Sequence, residues 1–366
     1  MLLSRRAWLS QAGASLAASG AQAQTVVIDG VERPRDLARS RPGGVSAAAL
    51  AQAQGISDRF DGTSLLVWRA GRMVCETYAP GFSALSPLTT YSMAKSVLGL
   101  VYGLALQDEV IGSLDAPVGD YLDEWRDDPR AAITLRQLLQ MRSGLKLYSL
   151  AQKDERALAL LSGARVTQTA LATPLERTPG AVFEYANVNS QLAGTALDRA
   201  LKRKGLGGYH PYMARRLWRP LGQASATQGV EFVGGEPRFF ANLDATARDW
   251  LRLGILLADD GRFEGRRIVP GAWIAEMRKP SPNPNYGLQI WLGSPWTAQR
   301  SYGPNAPQTV ACEEPYLAPD MVFFDGSGGQ RVYISAALRL VIVRTGKASW
   351  AWEDSALPNT IIRGLA

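Results

Sequence analysis

A chain of 366 residues that is 46% hydrophobic and 20% charged has an ordinary globular make-up and enough length for a large core. No apolar run approaches the ~18–20 residues needed to cross a bilayer. The formal net charge of +7 is thinly spread, and its densest runs, Lys202-Arg203-Lys204 and Arg215-Arg216, read as solvated helix faces rather than a nucleic-acid surface. A single histidine and two distant cysteines exclude histidine-rich and cysteine-rich zinc sites, so no metal or other cofactor is expected.

In chain order, Ser4-Arg5-Arg6-Ala7-Trp8-Leu9 has the look of a twin-arginine export signal. A weakly apolar segment follows, then Ala21-Gln22-Ala23 as an A-x-A cleavage site. Residues 1–23 are therefore expected to be a signal peptide, with a periplasmic mature chain starting at Gln24; a frayed N-terminal helix is the alternative. Residues 24–60 read as an extended arm and a helix, punctuated by Pro34, Pro42 and Gly43-Gly44. Residues 64–79 read as a hairpin, with Leu66, Trp68, Met73 and Cys75 on either side of an Ala70-Gly71 turn. Export would permit a disulfide, but spacing cannot pair Cys75 with Cys312, and two separate buried thiols are expected.

A loop with Pro80, Gly81 and Pro87 leads to Ser92-Met93-Ala94-Lys95. Val97, Leu100, Val101 and Leu104 continue an apolar stripe from Met93 at helical spacing, with Thr89 and Thr90 as possible caps. Positions three apart share a helix face, so the Lys95 ammonium can reach the Ser92 hydroxyl. A serine needs a neighbouring base to become a nucleophile, and a desolvated lysine can serve. Only seven of the 40 basic residues are lysines, which leaves each with few bystanders. A second S-x-x-K, Ser143-Gly144-Leu145-Lys146, fails on context. Thr134 and Gln137 form a capping box for a short helix buried through Leu135, Leu138 and Leu139, and Ser143-Gly144 falls where that helix stops.

Residues 146–178 lack periodicity beyond a short helical run at 157–161, as a lid or substrate-binding loop would, and Tyr148 is its most notable side chain. Pro179-Gly180 opens Phe183-Glu184-Tyr185-Ala186-Asn187, followed by a helix over 189–201 and further helices through Leu217, 248–258 and 273–277. His210, between Tyr209 and Pro211, reads as a structural surface residue. A Ser-His-Asp triad would have to use it. Strands are expected at 286–292, 321–324, 330–336 and 340–344, and a helix at 358–365. Strands at both ends with helices between imply one sheet built from the termini.

Three elements line up in order: Ser92-x-x-Lys95, Tyr185-x-Asn187, and Gly326-Ser327-Gly328-Gly329-Gln330 just before a strand. This resembles the penicillin-recognising serine hydrolases: class C β-lactamases, D-alanyl-D-alanine peptidases, related esterases and, closest in look, 6-aminohexanoate-oligomer hydrolases. The resemblance runs from about residue 60 to the C-terminus, and residues 138–145, Pro179-Gly180 and Asp260-Gly261-Arg262 support it. It implies an α/β (α+β) fold of the β-lactamase/transpeptidase type over residues 61–366, an antiparallel sheet flanked by helices with an all-helical insert at about 116–230.

The resemblance also implies roles. Ser92 would be the nucleophile, and Lys95 with Tyr185 the acid–base pair. Asn187 would orient Lys95 and the acyl side chain. The Ser92 and Gln330 amides would form the oxyanion hole, with Ser327, Gly328 and Gly329 lining the substrate site; Tyr148, from the long connector, is a further substrate-site candidate, with core packing as the alternative. Glycines at 326, 328 and 329 would let a substrate backbone approach the edge strand. One position departs: the family's K-T-G lysine, which helps bind a substrate carboxylate, is missing where this chain has Ser327-Gly328-Gly329. That points away from β-lactams and towards a small ester or amide cleaved in the periplasm. The alternatives are a β-lactamase or D-alanyl-D-alanine peptidase, or a catalytically silent member that binds a ligand or partner. The oligomeric state is not readable from the sequence.

Overall fold

The computed structural model describes residues 24–39, 44–149, 153–163, 165–231 and 235–365; the export signal expected over residues 1–23 lies outside them. The two ends of the chain meet in a six-stranded sheet. Its order is Arg72–Tyr78, Gly62–Arg69, Leu340–Gly346, Gln330–Ser335, Val322–Gly326 and Trp291–Leu292, antiparallel throughout. Side chains alternate across a strand, and here both faces are covered. Leu66, Trp68, Val332, Ile334, Val341 and Val343 enter one core. Leu65, Val67, Tyr333 and Ile342 enter the other.

Each face has its own helices. The terminal pair Ala47–Asp58 and Ala356–Arg363 pack on each other over the second core. Ala247–Ala258 crosses the opposite face, opened by a capping box between Thr246 and Asp249. The first core continues into the helical part through Ala94–Gln107, buried from Ala94 to Ala105, as an all-round apolar helix must be. Among the described residues no helix is long and apolar enough to cross a membrane.

A second sheet was not anticipated. Its order is Gln24–Ile28, Ala226–Val230, Leu243–Thr246 and Pro87–Leu88. The expected arm is its edge strand, and the short runs at 226–230 and 243–246 carry too little alternation to announce themselves. This sheet holds Pro87–Leu88 just ahead of Ser92, so it anchors the turn that carries Ser92.

Other boundaries shift for local reasons. The strand expected over 286–292 shrinks to Trp291–Leu292, because Gly287 N–H bonds back to the Ile290 carbonyl and Gln289 is left-handed. The connector at 146–178 holds two short helices, Glu155–Ser162 and Val166–Leu171. The Thr134 capping box forms as expected. Both cysteines are free; Cys312 is buried, but Cys75 is only half-buried, and burial raises both thiol pKa values.

Candidate active site

Ser92 sits in a single 3₁₀ turn, Tyr91–Met93, that runs directly into the Ala94–Gln107 helix. Neither threonine caps it as expected. The Thr90 hydroxyl instead donates to the Leu243 carbonyl at 3.0 Å, tying the turn to the second sheet. Tyr91 is left-handed, with φ at 50°, an uncommon state for a bulky residue and one often found beside reacting groups. The Ser92 amide has no backbone acceptor among the described residues, as befits the first turn of a helix.

The helix carries Lys95 back over Ser92. Lys95 is 1% exposed, and its ammonium makes three hydrogen bonds: to Ser92 Oγ at 2.9 Å, Asn187 Oδ1 at 2.9 Å and the Phe240 carbonyl at 3.1 Å. Burial lowers its pKa to about 7, against an opposing pull from Asp325. Two of the three partners can only accept. A neutral amine has two N–H groups and one lone pair, so Asn187 and Phe240 consume the donors and the lone pair is left facing Ser92. Asn187 reaches this place because its helix, Asn187–Arg203, starts two residues earlier than its apolar pattern suggests.

The Tyr185 ring centre lies 4.9 Å from Lys95 Nζ, and the Ser92 hydroxyl is close enough to the phenol to pull its pKa down. Tyr286, Trp291 and Tyr302 pack round that ring at 5.9, 5.4 and 5.2 Å. Loss of hydration, then Asp325 and Tyr302, push the Tyr185 pKa well above 10, so the phenol keeps its proton at neutral pH.

The glycine-rich element is the hairpin between the Val322–Gly326 and Gln330–Ser335 strands, closing with Gly326 opposite Gln330. Each of its glycines is set against a different neighbour. A Cβ on Gly328 would strike the Ala348-Ser349 backbone, and one on Gly329 the Trp352 ring; both are left-handed. The glycine beside the Ser92 turn is Gly326, whose Cβ would lie 2.2 Å from the Thr90 carbonyl oxygen. Gln330 is fully buried, with Nε2 donating to the Ser327 carbonyl and Oε1 accepting from the Gly346 amide, so its side chain braces the hairpin. Among the described residues the outer ladder of the Val322–Gly326 strand stops at Phe323, and towards Gly326 the strand's neighbour is the turn that carries Ser92.

Tyr148 is buried with an unpartnered phenol, between Lys146 and Arg156. Ser143 and Lys146 form no helical turn: Ser143 Oγ accepts from the Leu145 amide, and Lys146 faces Glu176. His210 is half-buried rather than on the surface, bonded to Gln228 at 2.9 Å, with a pKa lowered by burial. Phe240, which acts through its carbonyl, carried no sequence signal, since any residue would supply the same atom. Tyr302 and Asp325 lacked one too.

A serine hydroxyl hydrogen-bonded to a buried lysine that itself lies over a buried tyrosine ring, in the turn that opens a helix beside an antiparallel sheet, fits a serine hydrolase. The chain belongs to the β-lactamase family, whose sequence model matches residues 47–347. It is 26% identical over 227 residues to the 6-aminohexanoate-dimer hydrolase of Paenarthrobacter ureafaciens, a match that spans 58% of this chain and only 55% of that protein. Its fold is similar to that of a Bacillus anthracis protein provisionally named 6-aminohexanoate-dimer hydrolase, with TM-score 0.71 and 19% identity over 93% of this chain and 89% of that one. It is also similar to a family VIII carboxylesterase, with TM-score 0.63 and 16% identity over 89% of this chain and 100% of that one.

Proposed function

We propose that the protein hydrolyses a small neutral ester or amide through an acyl-enzyme on Ser92. The observation that carries this is the threefold environment of Lys95, which aims an amine of pKa about 7 at Ser92 Oγ. Neutral Lys95 takes the hydroxyl proton as Oγ attacks the carbonyl carbon. The protonated Tyr185 phenol gives its proton to the departing alcohol or amine and recovers one from Lys95. Water then attacks the acyl-enzyme by the same relay run in reverse, restoring Ser92. The oxyanion forming at the carbonyl would be met by the free Ser92 amide and by the backbone at the Gly326–Gln330 end of the hairpin, where each donor is worth roughly 2.7–4 kcal/mol. The hydrolase and carboxylesterase names of the similar proteins support the class.

Labelling with a fluorophosphonate tests the reading. The full chain should be modified once, on Ser92, and Ser92→Ala should lose both label and turnover while Ser143→Ala keeps them. Labelling that survives in Ser92→Ala would remove this reading. We further propose export to the periplasm, resting on residues 4–23 alone. Arg5→Lys with Arg6→Lys should leave uncleaved precursor in the cytoplasm, and normal processing of that variant would sink the route.

A further inference from the structure

Behind Tyr185 lies a buried set of charges that the acyl-transfer steps do not use. Asp325 Oδ1 takes Arg331 Nη1 at 2.6 Å and Arg300 Nη2 at 3.2 Å. Both arginines also hold Asp354, each at 2.7 Å. All four side chains are at most 5% exposed, and their charges sum to zero. Stability alone is a weak reason for such a group, because apolar side chains of similar volume often serve as well or better.

Tyr302 joins this group to the site. Its carbonyl accepts the Tyr185 amide N–H at 2.7 Å, and its ring packs edge-on against Tyr185 at 5.2 Å. Its phenol points the other way and donates to Asp325 Oδ2 at 2.8 Å. One residue thus fixes the backbone and ring of Tyr185 while bonding the carboxylate whose charge acts on both Lys95 and Tyr185. The groups round Lys95 are Ser92, Asn187, the Phe240 carbonyl and ring, the Tyr185 ring and, by charge, Asp325. Those round Tyr185 are Lys95, Ser92, Tyr286, Trp291 and Tyr302, with Asp325 and Arg300 acting by charge.

We propose that Tyr302 is a positioning residue for the reaction: its ring and carbonyl hold Tyr185 in place, and its phenol, bonded to Asp325, limits how much of that carboxylate's charge reaches Lys95. The proposal rests on the acyl-transfer reading above. Lys95 must be neutral to take the Ser92 proton, so a stronger anion at Asp325 favours the unreactive ammonium and a weaker one the amine. Two variants should therefore act in opposite directions. Tyr302→Phe deletes one oxygen, keeps the ring and the carbonyl, and leaves Asp325 a stronger anion. Asp325→Asn removes the anion and leaves two arginines on one carboxylate.

The rate of fluorophosphonate labelling against pH reads only folded, competent molecules, so partial misfolding of a variant does not blur it. In the full chain, Tyr302→Phe should move the acid limb of that profile up by about half a pH unit and lower kcat for an aryl acetate roughly tenfold with KM little changed. Asp325→Asn should move the limb down. A Tyr302→Phe limb that superimposes on the wild type, whatever its kcat, overturns the proposal, as does an upward shift in Asp325→Asn. Ser92→Ala run alongside separates the two levels. If it still labels, the acyl-transfer reading falls; if it is silent while Tyr302→Phe matches the wild type, only the role of Tyr302 falls.

Discussion

Asn187 Oδ1 accepts a hydrogen bond from Lys95 Nζ at 2.9 Å, across 92 residues of sequence. That contact joins the Ala94–Gln107 and Asn187–Arg203 helices at the one point where a lone pair must be aimed. Removing the acceptor in Asn187→Ala frees an N–H and loosens the amine, with an expected loss of ~10–10²-fold in kcat/KM. Asn187→Asp is the sharper test. A carboxylate beside Nζ stabilises the ammonium and raises the Lys95 pKa by ~1–3 units, so activity should be lost near pH 7 and partly regained near pH 9. A pH–rate profile matching the wild type would show that Lys95 is not the base.

The same desolvated lysine has a stability signature. Unfolded, it keeps its proton to about pH 10.5; folded, it releases it near 7. Between those values the unfolded chain binds more protons, so raising the pH favours the folded state, by at most about 1.4 kcal/mol per pH unit. Lys95→Met lacks this dependence. Urea unfolding of both proteins between about pH 7.5 and 9.5 should show the difference moving steadily in the wild type's favour. Cys75 and Cys312, whose thiol pKa values burial raises, are common to both proteins and cancel. A constant difference across that range would mean that folded Lys95 keeps its proton.

The hairpin glycines separate function from stability. A methyl at Gly326 collides with the Thr90 carbonyl and with Gln330 Cβ, which displaces the turn holding Ser92. Gly326→Ala should therefore cut labelling at least ~10²-fold, since small misplacements of reacting atoms cost that much. Gly328→Ala meets the Ala348-Ser349 backbone at φ +70°, away from Ser92, and should lower the unfolding free energy by ~1–3 kcal/mol. Swapped outcomes, with 328 silencing the enzyme and 326 only weakening it, would place the substrate edge at the wrong end of the hairpin.

What the sequence disclosed follows from the range of its signals. Ser92 and Lys95 are neighbours on one helical turn, so local periodicity was enough to pair them. The apolar hairpin at 64–79 and the terminal strands announced the main sheet by their β-branched runs. The second sheet stayed hidden because Ala226–Val230 and Leu243–Thr246 are short and weakly patterned. Phe240 acts through a backbone carbonyl, which no side chain advertises. Asp325, Arg300, Arg331 and Asp354 come together only in the folded chain, and as isolated letters they look like solvated surface. The glycines at 326, 328 and 329 were legible as a group, but their separate duties depend on what packs against each one.

On the proposed function, substrate choice is expected to turn on Ser327, where the resemblance implies that the family's lysine is missing. Holding a carboxylate beside the acyl-enzyme calls for a positive charge, and a charge-assisted hydrogen bond is worth ~1.5–3 kcal/mol. Serine offers a neutral hydroxyl, so such a substrate loses roughly 1–2 kcal/mol, or about 5–30-fold in specificity. Arg331 and Arg300 do not make up the loss. Arg331 is spent on Asp325, Asp354 and the Gly326 and Gln330 carbonyls, and Arg300 on Asp325 and Asp354, with its remaining Nη1 buried. Neither can turn towards a ligand without uncovering a buried carboxylate, which is costlier than the bond it would gain. A neutral short-chain ester has no carboxylate to anchor and loses nothing at this position. Clear hydrolysis of acetyl and butyryl aryl esters is expected, with slow or absent turnover of penicillins and cephalosporins. The check is kcat/KM for the two esters and a chromogenic cephalosporin on one preparation. Preference for the cephalosporin over both esters would refute the argument and require a cation that the Arg300–Arg331 group has released.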